Sequence, residues 1–218
     1  MSFGVQEATL TQMKDLETGL PGYAYVGVGR DDGDSKGEFS AIFYKSRELR
    51  VLQEATFWLS ETPEKVSVGW DAALPRICTY AKFELTFSKK RFWYFNTHFD
   101  HLGEIARAES AKLIVSKIKA LVDGVDAVVL SGDFNAEPHE EPILVLNHSF
   151  EDPADKVSIQ GPVGTFSGFQ LDTPLDRRID YIFTKNVEVK TYQHLDTKRS
   201  NGRWISDHLP VLLSFDLN

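Results

Sequence analysis

Ala127-Val128-Val129-Leu130-Ser131-Gly132-Asp133-Phe134-Asn135 is the stretch on which the reading of this chain turns. Its first four residues are an apolar run rich in β-branched side chains, the pattern of a strand buried on both faces. The run stops at a glycine flanked by Ser131 and Asp133, with Asn135 two residues further on. A carboxylate and an amide just past a buried strand stand where sheets feed loops, and α/β proteins place their chemistry there. In extended geometry Asp133 and Asn135 would share a face. The carboxylate could then orient or deprotonate a water, and the amide could donate to a phosphoryl oxygen. Gly, Asp and Asn are also ordinary turn residues, and on this stretch alone the two readings weigh equally.

Upstream, the pattern from Gly103 to Val122 has helical period. Ala111, Ile114, Val115, Ile118, Leu121 and Val122 form one apolar stripe, and Gly124 is a plausible stop. Phe39 to Tyr44, Leu49 to Phe57, Ile77 to Phe87 and Arg91 to Thr97 read as strands, being rich in aromatic and β-branched residues. Arg30 to Glu38, RDDGDSKGE, reads as a polar loop. Downstream, Glu140 to Leu146 suits a short helix with Pro142 in its first turn. Ile179 to Phe183, Val187 to Tyr192 and Val211 to Phe215 predict further strands, and a helix is expected over Thr9 to Leu16. Many strands mixed with few helices predict an α/β or α+β sandwich in a single domain over 1–218.

Composition narrows the function classes. With 218 residues, 42% hydrophobic and 26% charged, the chain suits one folded domain and not a disordered one. The 32 acidic against 24 basic residues give a net charge of −8, which argues against a broad basic face for duplex DNA. The single Cys78 excludes an internal disulfide. No apolar run is long enough to span a bilayer. As written, the N-terminus lacks a secretion signal and predicts a cytoplasmic protein; a longer N-terminus carrying a signal peptide would make it a secreted one.

Four more polar clusters sit at strand ends. Asn96-Thr97-His98-Phe99-Asp100-His101 offers His98 as acid, base or oxygen donor, although a single loop histidine is more often plain surface. In Arg178-Ile179-Asp180-Tyr181, Asp180 lies in an apolar strand and needs a partner, either a His or a neighbouring Arg. In Ser206-Asp207-His208, the carboxylate and base fit the logic of an activated pair, or simply cap a turn. Glu7, in Gln6-Glu7, is a candidate ligand for a hard cation or a solvated helix opener. Trp58, Trp70, Phe99 and Trp204 could stack on a base or pack on a lipid, but core packing is the commoner use of such rings.

The order of these pieces is more specific than any one of them. Gln-Glu, Asn-Thr-His, Gly-Asp-Phe-Asn, Arg-Ile-Asp-Tyr and Ser-Asp-His, running from Glu7 nearly to the C-terminus, together resemble the endonuclease/exonuclease/phosphatase superfamily with its DNase I-like fold, in a bacterial branch. The resemblance implies a four-layer sandwich of two packed mixed β-sheets flanked by helices. It implies hydrolysis of a phosphodiester or phosphomonoester by in-line attack of water, with Mg²⁺ or Mn²⁺ held by Glu7 and Asp207. His98 would stabilise the scissile phosphate, with Glu38 as the carboxylate paired to it. Asp133 would position the water and Asn135 would lie beside it. His208 would act as the catalytic histidine oriented by Asp180, and Arg76 would reach a phosphate. The expected partner is a phosphate-ester substrate (nucleic acid, phospholipid or small ester), and the expected state is a monomer. The family normally opens with a strand carrying an Asn, some tens of residues before Gln-Glu. Here that strand is expected to be missing, leaving unpaired backbone and exposed apolar surface. A binding or scaffold domain of impaired catalysis is therefore the alternative, beside a lipid or sugar phosphatase.

Overall fold

The computed structural model describes residues 1–217. Its centre is a five-stranded sheet in the order β4 (Leu49–Trp58), β5 (Ile77–Leu85), β6 (Arg91–His98), β7 (Ala127–Asp133), β9 (Asp180–Lys185). Only β6 and β7 run parallel; the other pairs are antiparallel. A parallel pair needs a crossover, and helix α2 (Glu104–Leu121) supplies it.

The layers follow from side-chain alternation. One face of the central sheet presents Phe57, Tyr80, Phe95, Val128, Leu130 and Phe183 to α2 and α3 (Glu141–Asn147), where Ile114, Ile118, Ile143 and Leu146 complete the core. The other face presents Ala81, Phe83, Phe92 and Val129 to two three-stranded sheets. One is β1 (Ser2–Gly4), β3 (Ile42–Lys45), β2 (Tyr23–Val26); the other is β11 (Val211–Leu217), β10 (Val187–His194), β8 (Ile159–Gln160). Helix α1 (Leu10–Gly19) closes the outside of the first, with Met13 packed near Phe39 and Phe43. The expected four-layer arrangement of mixed sheets and helices is therefore present, with the second sheet layer divided in two.

The boundaries differ from expectation where local chemistry intervenes. The strand expected from Phe39 begins at Ile42, because Phe39 instead bridges both Ala8 and Gly29. The strand expected to reach Phe87 ends at Leu85, where a hairpin forms with Lys89 in the left-handed region. The helix expected over Thr9 to Leu16 runs to Gly19, with the Thr9 N–H donating to Gln12 Oε1 at 2.8 Å.

The divided layer leaves a cleft. β1 and β11 are the outer strands of their sheets, and both border a space of about 520 Å³ floored by Phe92, Tyr94, Val129 and Ile182. Neither β1 nor β11 has a strand partner across this cleft among the described residues. No helix among the described residues is long and apolar enough to cross a membrane.

Candidate active site

Sheet register builds the centre. On three adjacent strands, His98 pairs with Asp133 and Asp133 pairs with Asp180. Residues from three separated segments thus stand side by side at one end of the sheet. β6 and β7 approach closely there, since a Cβ on Gly132 would lie 2.2 Å from Thr97 O; this is a physical reason for glycine in the motif.

The segment after β7 is a turn and a site at once. Of the two readings left open for this stretch, the turn is the one present: Asn135 has φ +46°, a left-handed conformation that Asn tolerates. Its N–H donates to Asp133 Oδ1 at 2.8 Å. Between them Phe134 is fully buried, edge-on to Phe99, Tyr181 and Phe183, and so anchors the turn. The Asn135 amide nitrogen faces Phe99 O at 3.1 Å and His98 Nε2 at 3.2 Å. A phosphoryl oxygen would have to share one of these amide hydrogens.

Asp180 finds the partner its burial demands. His208 Nδ1 lies 2.9 Å from Asp180 Oδ2, while His208 Nε2 lies 3.8 Å from Asp133 Oδ2. The alternative Arg partner is excluded, because Arg178 pairs with buried Asp152. Thr165 aligns the pair. Its hydroxyl accepts from the N–H groups of Ile179 and Asp180, and its carbonyl accepts from Leu209 N–H.

Glu7 is placed by residues the sequence reading passed over. Asn96, fully buried, donates to Val5 O and Ala41 O, and its Oδ1 accepts from the Gln6 side chain at 2.7 Å. Glu7 follows in the left-handed region at φ +59° and points its carboxylate to within 3.9 Å of His98 Nε2. A non-glycine residue held there stores strain, typically where function requires it. A buried amide in an apolar strand was the available signal for Asn96; Thr165 had none.

Electrostatics set distinct protonation states. Burial pushes the Asp133 carboxyl up to about 7, and the neighbouring Asp180 charge adds to it. Burial opposes charge on His208, but the hydrogen bond and charge of Asp180 prevail and raise it to about 9. His98 is held well below its ordinary value by burial and by the nearby Arg76 and Arg30 guanidiniums. A neutral His98, a proton-accepting Asp133 and a cationic His208 therefore share one site.

Glu7, His98 and Asp133 bring three ligand atoms within 4.8 Å of one another; Asp133, Asp180 and His208 do likewise. The first set suits a hard divalent cation better. It offers carboxylate oxygens and a neutral imidazole, with Glu7 exposed enough to leave room for waters, whereas the second is already joined by the Asp180–His208 bond. Asp207, expected as a ligand, belongs to neither set; its backbone carbonyl accepts from Ser167. Glu38 does not pair with His98. Its carboxylate lies 2.6 Å from Arg30 Nη1, a permanent cation and a better partner than an imidazole kept neutral. Arg76 Nε donates to Asp100 at 3.2 Å, and Nη2 lies 3.0 Å from His101 Nδ1. Of the four aromatics, Phe99, Trp58 and Trp204 are buried packing residues.

Comparison with known proteins agrees with this geometry. The Endonuclease/Exonuclease/phosphatase family description matches residues 3–208. An endonuclease/exonuclease/phosphatase family protein from Bacteroides thetaiotaomicron superimposes with a TM-score of 0.94 at 40% identity, covering 100% of this chain and 81% of that one. A mannosyl-6-phosphatase from Bacteroides thetaiotaomicron VPI-5482 gives 0.93 at 40% identity, over 98% and 84% of the two chains. An uncharacterized protein of Acanthamoeba polyphaga mimivirus is 29% identical over 216 residues, covering 94% of this chain and 80% of that protein. The chain therefore belongs to the endonuclease/exonuclease/phosphatase family of phosphoester hydrolases.

Proposed function

We propose that this protein hydrolyses a phosphate ester with a divalent cation held by Glu7 and Asp133, Mg²⁺ or Mn²⁺, and with His208 as the group that stabilises the transition state. The observation that carries this reading is the in-register row His98–Asp133–Asp180 closed by His208. When bound, the cation would neutralise charge on the phosphoryl group.

The chain's own residues supply the rest. The Asp133 carboxylate, facing His208 Nε2, orients the attacking water and accepts its proton as the attack proceeds. The water oxygen bonds to phosphorus as the ester P–O bond breaks, and the departing oxygen takes a proton from solvent on the open Glu7 side. His208, kept protonated by Asp180, donates from Nε2 to the charge that builds on the phosphoryl oxygens. No covalent enzyme intermediate is required. The assembled centre favours this over a binding-only domain, and similarity to a mannosyl-6-phosphatase favours a sugar phosphate as substrate. The test is hydrolysis of simple nitrophenyl phosphate esters with Mg²⁺, with EDTA, and by His208→Ala. Turnover indifferent to chelation and to the substitution would remove the mechanism.

A further inference from the structure

Beside the catalytic centre, the side chains of Glu7, Arg30, Glu38, Arg76 and His98 enclose a recess of about 10 Å³, room for a single oxygen-sized group. Two of its walls are buried guanidiniums, Arg30 and Arg76, at 8% and 4% exposure. Each retains a buried nitrogen with no hydrogen-bond partner among the described residues: Nε of Arg30, which has Asp31 Oδ1 only at 3.8 Å, and Nη1 of Arg76. Buried donors of this kind are costly unless something accepts from them. Arg30 also disfavours charge on Arg76, after burial itself.

The loop that carries Arg30 is built to hold it. Asp32 Oδ1 accepts from the N–H groups of Asp34 and Lys36, and Trp58 Nε1–H donates to Arg30 O at 2.8 Å. Glu38 occupies Nη1 of Arg30, and Asp100 and His101 occupy two nitrogens of Arg76. What remains is one buried nitrogen on each guanidinium with no hydrogen-bond partner, on two residues that line the recess together with His98.

We propose that this recess is a subsite for the third non-bridging oxygen of a phosphomonoester dianion, making the enzyme a monoesterase. The inference rests on the hydrolytic reading of the same centre. A monoester presents a bare, charged oxygen, which fits a water-sized recess walled by two guanidiniums whose charge Glu38 and Glu7 offset only in part when the cation is bound beside Glu7. A diester must place a carbon-bearing oxygen there, which has neither the size nor the charge. The sugar phosphates and other small monoesters meet this requirement; an internal nucleic-acid linkage does not.

The experiment uses one leaving group on two esters, p-nitrophenyl phosphate and methyl p-nitrophenyl phosphate, with saturating Mg²⁺. Arg30→Met should lower kcat/KM on the monoester by roughly 10–100-fold, the value of a charge-assisted hydrogen bond, and on the diester by a clearly smaller factor, the share that comes from its effect on His98. Inorganic phosphate is tested separately through its thermal stabilisation of the Mg²⁺-loaded protein. Arg30→Met should abolish that stabilisation, whereas Glu38→Gln, which frees Arg30 from a competing carboxylate, should strengthen it. If the Arg30–Glu38 pair only braces the loop, both substitutions will weaken phosphate binding alike, and the proposal is overturned. Equal losses on both esters, as expected if a fixed water fills the recess, also overturn it. Phosphate binding that depends on Arg30 without hydrolysis of either ester would uphold the subsite and sink the hydrolytic reading instead.

Discussion

Replacing Asp133, the proposed catalytic carboxylate, should stabilise the protein in the absence of metal. Asp133 is 4% exposed and faces Asp180 and Glu7, so its acid form is favoured until about pH 7. In the unfolded chain the same group ionises near pH 4. Between these values the native state holds a proton that the unfolded state has released, so this group's contribution to stability falls as pH rises from about 4 to 7. Each tenfold change in proton affinity is worth ~1.4 kcal/mol, so ionised Asp133 burdens the fold at pH 8 by at most about 4 kcal/mol. Asp133→Asn removes that burden and keeps an acceptor for Asn135 N–H, but it loses the attraction to His208 at 3.8 Å. The net expectation in EDTA at pH 8 is a gain of about 1–3 kcal/mol, or a Tm higher by roughly 2–10 °C. The gain should shrink towards pH 4 and be lost when Mg²⁺ or Mn²⁺ is added, because only the wild type binds the ion well. Thermal melts of both proteins across pH, with and without metal, provide the assay. A substituted protein less stable than wild type at pH 8 in EDTA, or a difference that ignores pH, would refute the reasoning.

Three further expectations follow from other parts of the site. His208 is raised from its ordinary value to about 9, so its stabilising pair with Asp180 is complete below about pH 6.5 and lost as pH rises through 9; His208→Gln should therefore cost about 1–3 kcal/mol at pH 6 and little at pH 10, as read by urea denaturation. Glu7 occupies a left-handed backbone position, so Glu7→Gly should abolish metal-dependent turnover while leaving stability unchanged or raised by up to about 2 kcal/mol. Asn96→Ala strips partners from Val5 O, Ala41 O and Gln6; it should cost about 2–4 kcal/mol and raise the metal concentration needed for half-maximal activity, since Glu7 loses its anchor.

What the sequence revealed was governed by pattern length. The apolar run into Asp133 and the long stripe of α2 each carry enough periods to define an element, and both are present as read. β2, Tyr23–Val26, alternates between Gly22 and Gly27 but has only four residues, and β8 has two; neither was anticipated. Asp180 announced its own partner, because a carboxylate in an apolar strand must be compensated, and His208 compensates it. Glu38 misled for the opposite reason. A carboxylate flanking a strand accepts any cation the fold brings near, and nothing in the spacing showed that the polar loop would fold Arg30 back onto it. For Asn135 the turn and the functional reading, weighed as alternatives, are both present, since the turn itself carries it beside Asp133. Residues that act by holding others, such as Asn96 and Thr165, leave little trace in a single sequence because their partners are backbone atoms.

The account stands on a divalent ion held between β7 and the segment after β1. Titration with Mn²⁺, followed by electron paramagnetic resonance, measures this directly on wild type, Glu7→Gln, Asp133→Asn and His208→Ala. The prediction is a single tight site per chain, weakened at least about tenfold by either carboxylate substitution and little changed by His208→Ala. Equal Mn²⁺ affinity in all four proteins would contradict it.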